Sequence, residues 1–114
     1  MEIGISQQGG VTVCSIRGSV DSLSAEELTS GLAAPIALGQ TRLVGDFSQV
    51  TYTSSAGLRS LLSTVKDCRR VGGDFRIAGL QPQVARVLEI AGFTSIIQTY
   101  ADVTGAVASF GGDA

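Results

Sequence analysis

The sequence predicts an α/β fold. It reads as one domain, residues 1–114, on a mixed, mainly parallel β-sheet of about five strands with about four α-helices, in the order β-β-α-β-α-β-α-β-α. Three observations carry that reading. Short apolar runs that alternate with polar residues recur between longer stretches whose apolar residues fall at helical spacing. Glycine pairs, Gly9-Gly10 and Gly72-Gly73, punctuate these segments where turns belong. The chain has 114 residues, 44% of them hydrophobic and 16% charged, which suits one filled core and not a disordered segment.

Ile3 and Ile5 alternate with polar or small neighbours, so residues 2–7 read as a strand. Gln8-Gly9-Gly10 is a turn, and Val11 to Arg17 is a second strand, in a hairpin with the first. Gly18-Ser19-Val20-Asp21 then leaves the sheet. In Leu23-Ser24-Ala25-Glu26-Glu27-Leu28, Ser24 and Glu27 are spaced for a capping box, and Leu23 and Leu28 for a hydrophobic staple. That helix carries Leu28, Leu32 and Ile36 on one stripe, and Pro35 ends or kinks it.

Arg42 to Phe47 is the third strand, parallel to an earlier one because a helix intervenes. The second helix runs from about Ser55 to Val71. Leu58, Leu61, Leu62, Val65 and Cys68 line its inner stripe, and Arg59, Ser63, Lys66 and Arg70 form a solvated outer face. Asp74 to Ala78 is the fourth strand. Pro82 opens a third helix with Val84, Val87, Leu88 and Ala91 inward, and Gly92 with Phe93 closes it as a Schellman end does. Thr94 to Thr99 holds a short strand around Ile96-Ile97. Asp102 caps a last helix bearing Val103, Ala106, Val107 and Phe110. Residues 111–114 are expected to fray.

Composition narrows the function. A net charge of −2 argues against an electrostatic nucleic-acid binder. No apolar run approaches the roughly 20 residues of a membrane span, and the first residues carry no basic signal-peptide region, so the expected setting is cytoplasmic. There is no histidine, which removes the commonest general base and metal ligand. No metal site and no cofactor is expected: Cys14 and Cys68 read as small buried residues, and no phosphate-binding glycine motif is present.

The informative stretch is the junction between the third strand and the second helix, Thr53-Ser54-Ser55-Ala56-Gly57. A helix start exposes unpaired N–H groups and a partial positive charge, which suits a hydrogen-bonding hydroxyl and also a phosphate on that hydroxyl. Ala56 and Gly57 are small, so another protein can approach. Serine capping alone accounts for one of the two hydroxyls and leaves the other for modification. Asp21 reads as a turn residue, Asp46 as a carboxylate binding nearby N–H groups, and Tyr52 as half-buried packing.

The run Leu43-Val44-Gly45-Asp46-Phe47-Ser48-Gln49-Val50-Thr51-Tyr52-Thr53-Ser54-Ser55-Ala56-Gly57-Leu58 resembles the central signature of STAS domains, most of all the stand-alone bacterial anti-sigma factor antagonists. Gly18-Ser19-Val20-Asp21, Val71-Gly72-Gly73-Asp74-Phe75 and Leu88-Glu89-Ile90-Ala91-Gly92-Phe93 resemble further family segments, in the family's order. The resemblance implies a non-enzymatic partner-switching module. Unphosphorylated, it binds an ATP-using anti-sigma factor that is also a serine kinase, and a sigma factor is released. Phosphorylation, by alignment at Ser55, parts the complex, and a serine phosphatase resets it. Asp21, Thr53, Ser54, Ser55, Ala56 and Gly57 carry over as the partner-binding region. Many members have Asp where this chain has Ser54.

Two other classes were weighed. An enzyme with Ser55 as nucleophile lacks a base, since Lys66 lies too far along the helix and no G-x-S-x-G elbow exists. A STAS subunit of a sensor complex or of an ABC-type transporter's cytoplasmic part, with no kinase cycle, is the alternative on the same fold. The first strand offers an edge that could pair with another chain, making a dimer one possibility.

Overall fold

The computed structural model describes residues 1–111. Its elements are β1 (Glu2–Gln8), β2 (Val11–Val20), α1 (Ala25–Ala37), β3 (Arg42–Thr53), α2 (Ser55–Arg70), β4 (Asp74–Ala78), α3 (Pro82–Ile90), β5 (Thr99–Tyr100) and α4 (Val103–Ala108). The five strands form one sheet in sequence order. β1 is antiparallel to β2, and the remaining neighbours are parallel. This is the expected mixed α/β sheet, with helices as the crossovers that parallel strands require.

Strand alternation divides the core in two. Cys14, Ile16, Leu43, Phe47, Phe75 and Ile77 project to the face covered by α1, α2 and α3, where Leu28, Leu32, Leu61, Val65, Val84 and Leu88 meet them. Val11, Val13, Val44 and Ala78 project to the other face under Ala106 of α4. Arg76 secures that short helix: its guanidinium binds Asp74 Oδ2 at 3.0 Å and Ser109 Oγ at 2.7 Å, and lies 4.0 Å from the Phe110 ring centroid. Asp102 caps α4 as expected, accepting from the Gly105 N–H at 2.8 Å.

Several local expectations are corrected. β2 continues to Val20 and β3 to Thr53, so Gly18, Ser19 and Val20 stay in the sheet. Register shifts between Ser15 and Arg17 and between Gly18 and Ser19 absorb the irregularity, and pairing runs on to Val20 with Thr53. The capping box does not form, because the Ser24 hydroxyl turns back to Asp21 and makes no cap bond. Nor does the staple, since Leu23 is 90% exposed. Pro35 lies buried in the last turn of α1, and the helix ends two residues later, at Ala37.

Ile96 and Ile97 are not a strand. They follow a 3-10 turn at Phe93–Ser95, from which Ile97 drops into the core, and β5 begins only at Thr99. Ala91 faces solvent, whereas Gly92 takes the expected left-handed conformation and Phe93 is buried in the cluster that holds Leu88. Tyr52 is 52% exposed. Cys14 and Cys68 are buried and unbonded. Of the expected frayed tail, Gly111 is an exposed turn residue and 112–114 lie outside the described residues.

Candidate functional site

The extensions of β2 and β3 carry the serine junction out beyond the C-terminal end of the central strand, β3. Ser54 is extended, at φ −90° and ψ 173°, so its carbonyl opens α2. Its N–H donates to Val20 O at 2.8 Å, which ties the turn to β2. Its hydroxyl accepts from the Gly57 N–H at 3.2 Å, satisfying one of the unpaired donors of the first turn. Ser54 is therefore the helix cap. Ser55 is the first helical residue, exposed, and its hydroxyl has no hydrogen bond among the described residues. The first turn of α2 contains no acidic residue that would compete for its positive end.

Beneath this surface the junction is packed. Thr53 is 4% exposed and Gly57 is buried. A Cβ on Gly57 would collide with Thr53 Oγ1 and would stand 2.7 Å from Val20 Cγ1. Glycine is there because α2 crosses β2 and β3 at van der Waals distance. Of the six residues expected to meet a partner, Asp21, Ser54, Ser55 and Ala56 reach the surface, while the side chain of Thr53 and the backbone of Gly57 support them from below.

Asp21 opens the loop immediately after the Val20 carbonyl that binds Ser54. Its carboxylate accepts from the N–H groups of Leu23 at 3.0 Å and Ser24 at 2.9 Å and from the Ser24 hydroxyl at 3.1 Å. These bonds, those from Ser24 foremost, hold the carboxyl below its ordinary range. Asp21 is thus a fixed negative charge and a turn former together. Asp46 accepts from the Ser48 N–H at 3.0 Å within β3 and takes no part in the junction.

Two features went unread in the sequence. One is an open groove of about 310 Å³ between α1 and α2, walled by Ala25 and Glu26 on one side and Ala56, Arg59 and Ser63 on the other. The other is its floor, where the Thr29 hydroxyl donates to Ser60 Oγ at 2.7 Å and Ser60 donates to Ala25 O at 3.0 Å. The spacing of Arg59 from Ser55, one helical turn, was the available signal for the first; nothing local signals the second. A larger hollow of about 590 Å³, near Met1, Ser15, Arg17 and Glu27, shares no residue with the junction.

The chemistry this end of the molecule offers is that of an accessible hydroxyl at a helix start, with a hydrogen-bonded carboxylate in the loop that follows β2. Burial raises the thiols of Cys14 and Cys68 to about 11 and about 12, which makes them poor nucleophiles. Among the described residues, no three thiol or carboxylate side chains gather to hold a metal ion, and no helix is long and apolar enough to cross a membrane.

Comparison with known proteins concerns the family and the fold. The STAS domain family matches residues 2–106. A Bordetella bronchiseptica protein bearing the name anti-sigma factor antagonist BtrV is 36% identical over 110 residues, covering 96% of this chain and 95% of its own. The crystal structure of an anti-sigma factor antagonist from Mycobacterium paratuberculosis matches with a TM-score of 0.86 at 25% identity, over 95% of this chain and 92% of that one. The Bacillus cell fate determinant SpoIIAA, solved in its phosphorylated form, shares the fold with a TM-score of 0.72 at 16% identity, over 96% of this chain and 99% of that one.

Proposed function

Because the chain belongs to the STAS domain family, we propose that it is an anti-sigma factor antagonist, a cytoplasmic binding module without catalytic activity, switched by phosphorylation of Ser55. The observation that carries the assignment is the division of labour between the two serines. Ser54 is committed to the cap, and Ser55 presents a free hydroxyl at the exposed helix start.

In this reading the partner is an anti-sigma factor that is also a serine kinase, and Asp21, Ser54, Ser55 and Ala56 form the surface it meets. The Ser55 oxygen attacks the γ-phosphorus of the partner's ATP. An O–P bond forms, the bond to ADP breaks, and the hydroxyl proton passes to a base on the kinase. A serine phosphatase later restores the hydroxyl by hydrolysis. The new group carries nearly two negative charges. The helix start tolerates them, because its N–H groups and dipole favour anions, so the fold persists. The interface does not tolerate them: a charge desolvated against Asp21 or partner carboxylates without a match costs several kcal/mol. A loss of about 3 kcal/mol weakens binding more than a hundredfold.

The test is intact-mass analysis and phosphopeptide mapping of the protein from its own host, beside Ser55→Ala. One phosphoryl group on Ser55, absent from the variant, is the expected result. Protein that stays unmodified across growth conditions would overturn the switch.

A further inference from the structure

Arg59 is the cation closest in sequence to Ser55 on α2. The two residues are four apart, so they stand one above the other on the same helix face. Helical side chains lean toward the N-terminus, which sends the long Arg59 side chain back over the turn that begins with Ser55. The acid-before-base order at this spacing is the favourable one. Ala56, which shares the groove wall with Arg59, is too small to block the path. Among the described residues Arg59 has no ion pair, whereas Arg69, Arg70 and Arg76 are all engaged with Asp67 or Asp74. Glu26 faces it across the groove but does not come within salt-bridge distance.

We propose that Arg59 is the internal ligand of the phosphoryl group on Ser55, so that modification draws its guanidinium away from Glu26 and onto the phosphate. The inference rests on the assignment of Ser55 as the modified residue and adds how the modified state is held. A guanidinium offers two parallel N–H donors to phosphate oxygens, a geometry that lysine cannot reproduce. The groove, whose lining carries one carboxylate and one guanidinium, becomes acidic as a result. Glu26 loses its opposing cation, and Asp21, Glu26 and the phosphate remain as a single acidic surface at the end a partner would meet.

The experiment uses the full chain with phosphoserine installed at position 55 during translation, in the parent, Arg59→Ala, Arg59→Lys and Lys66→Ala backgrounds. Lys66 is exposed on the same helix but lies eleven residues from Ser55, so its variant controls for the loss of a charge. Phosphorus NMR follows the second phosphate ionisation, whose ordinary midpoint is near pH 6. Asp21 and Glu26 act on the phosphate alike in every background, so the difference between backgrounds isolates the substituted residue. Arg59→Ala is expected to raise the midpoint by about 0.3 pH unit at low salt, Arg59→Lys by less, and Lys66→Ala by nothing measurable. The difference should shrink but persist in 1 M salt, as a contact pair is screened less than separated charges, and the Arg59 Nε–H resonance should move between the unmodified and phosphorylated chains. Equal midpoints in the parent and a folded Arg59→Ala chain would overturn the proposal, as would an Arg59→Lys chain indistinguishable from the parent. Because the phosphate is installed and not enzymatically added, this outcome is independent of whether the host modifies Ser55.

Discussion

Gly57→Ala tests whether the close crossing of α2 over the sheet is what holds the serine junction in place. Two effects oppose each other. Alanine in place of a helical glycine removes a backbone entropy cost and gains up to about 1 kcal/mol. The added methyl, however, would collide with Thr53 Oγ1 and lie 2.7 Å from Val20 Cγ1. Neither neighbour can retreat into solvent, since Val20 is 0% and Thr53 4% exposed. Overpacking of this kind costs about 1–3 kcal/mol. The gain is small in a first turn, so the net expectation is a loss of about 1–2 kcal/mol. With a urea m-value of about 1–3 kcal/mol/M, the unfolding midpoint should fall by about 0.3–2 M with m unchanged. Gly4→Ala is the control: a Cβ there meets nothing within 4 Å, so that variant should be neutral or slightly more stable. A Gly57→Ala protein as stable as the parent would refute the packing argument and with it the claim that glycine is required by the approach of helix to sheet.

The serines should separate in the same assay. Ser54→Ala removes the bond to the Gly57 N–H and should cost about 1 kcal/mol, while Ser55→Ala should change stability by less than about 0.5 kcal/mol; equal losses would contradict the division between cap and free hydroxyl. The thiols give a pH prediction. Burial pushes Cys14 up to about 11 and Cys68, with Asp74 and Asp67 adding to the effect, to about 12, from an ordinary 9.0. Below pH 9 both states keep these protons. Above it the unfolded chain releases them first, so stability should fall as pH rises from 9 toward 11–12. A thiol reagent at pH 8 should find both cysteines silent in the native protein and reactive in denaturant; rapid native labelling of either would contradict their burial.

Much of this architecture was legible because the amphipathic helices and the alternating strands bury large, regular stripes. The misreadings have local causes. Gly18 and Ser19 look like strand breakers, yet two register shifts let β2 carry them as far as Val20. Ser24 and Glu27 have capping-box spacing, but Asp21 offers the Ser24 hydroxyl a nearer charged partner. Ile96-Ile97 is apolar without alternation, and such a run cannot distinguish a strand from a loop that inserts one side chain into the core. At the junction, spacing alone located the two hydroxyls. Which of them caps α2 depended on the extended backbone of Ser54 and its bond to β2, a tertiary fact.

The 2.8 Å bond from Ser54 to Val20 makes the serine turn a continuation of the two longest strands, β2 and β3. On the proposed function, a partner arriving at this end would find its landing surface already assembled, with no loop to order on docking. Encounter would then be governed by diffusion and long-range charge. The association rate should depend on ionic strength, and binding should proceed in one phase linear in partner concentration, with affinity differences appearing chiefly in how long the complex lasts.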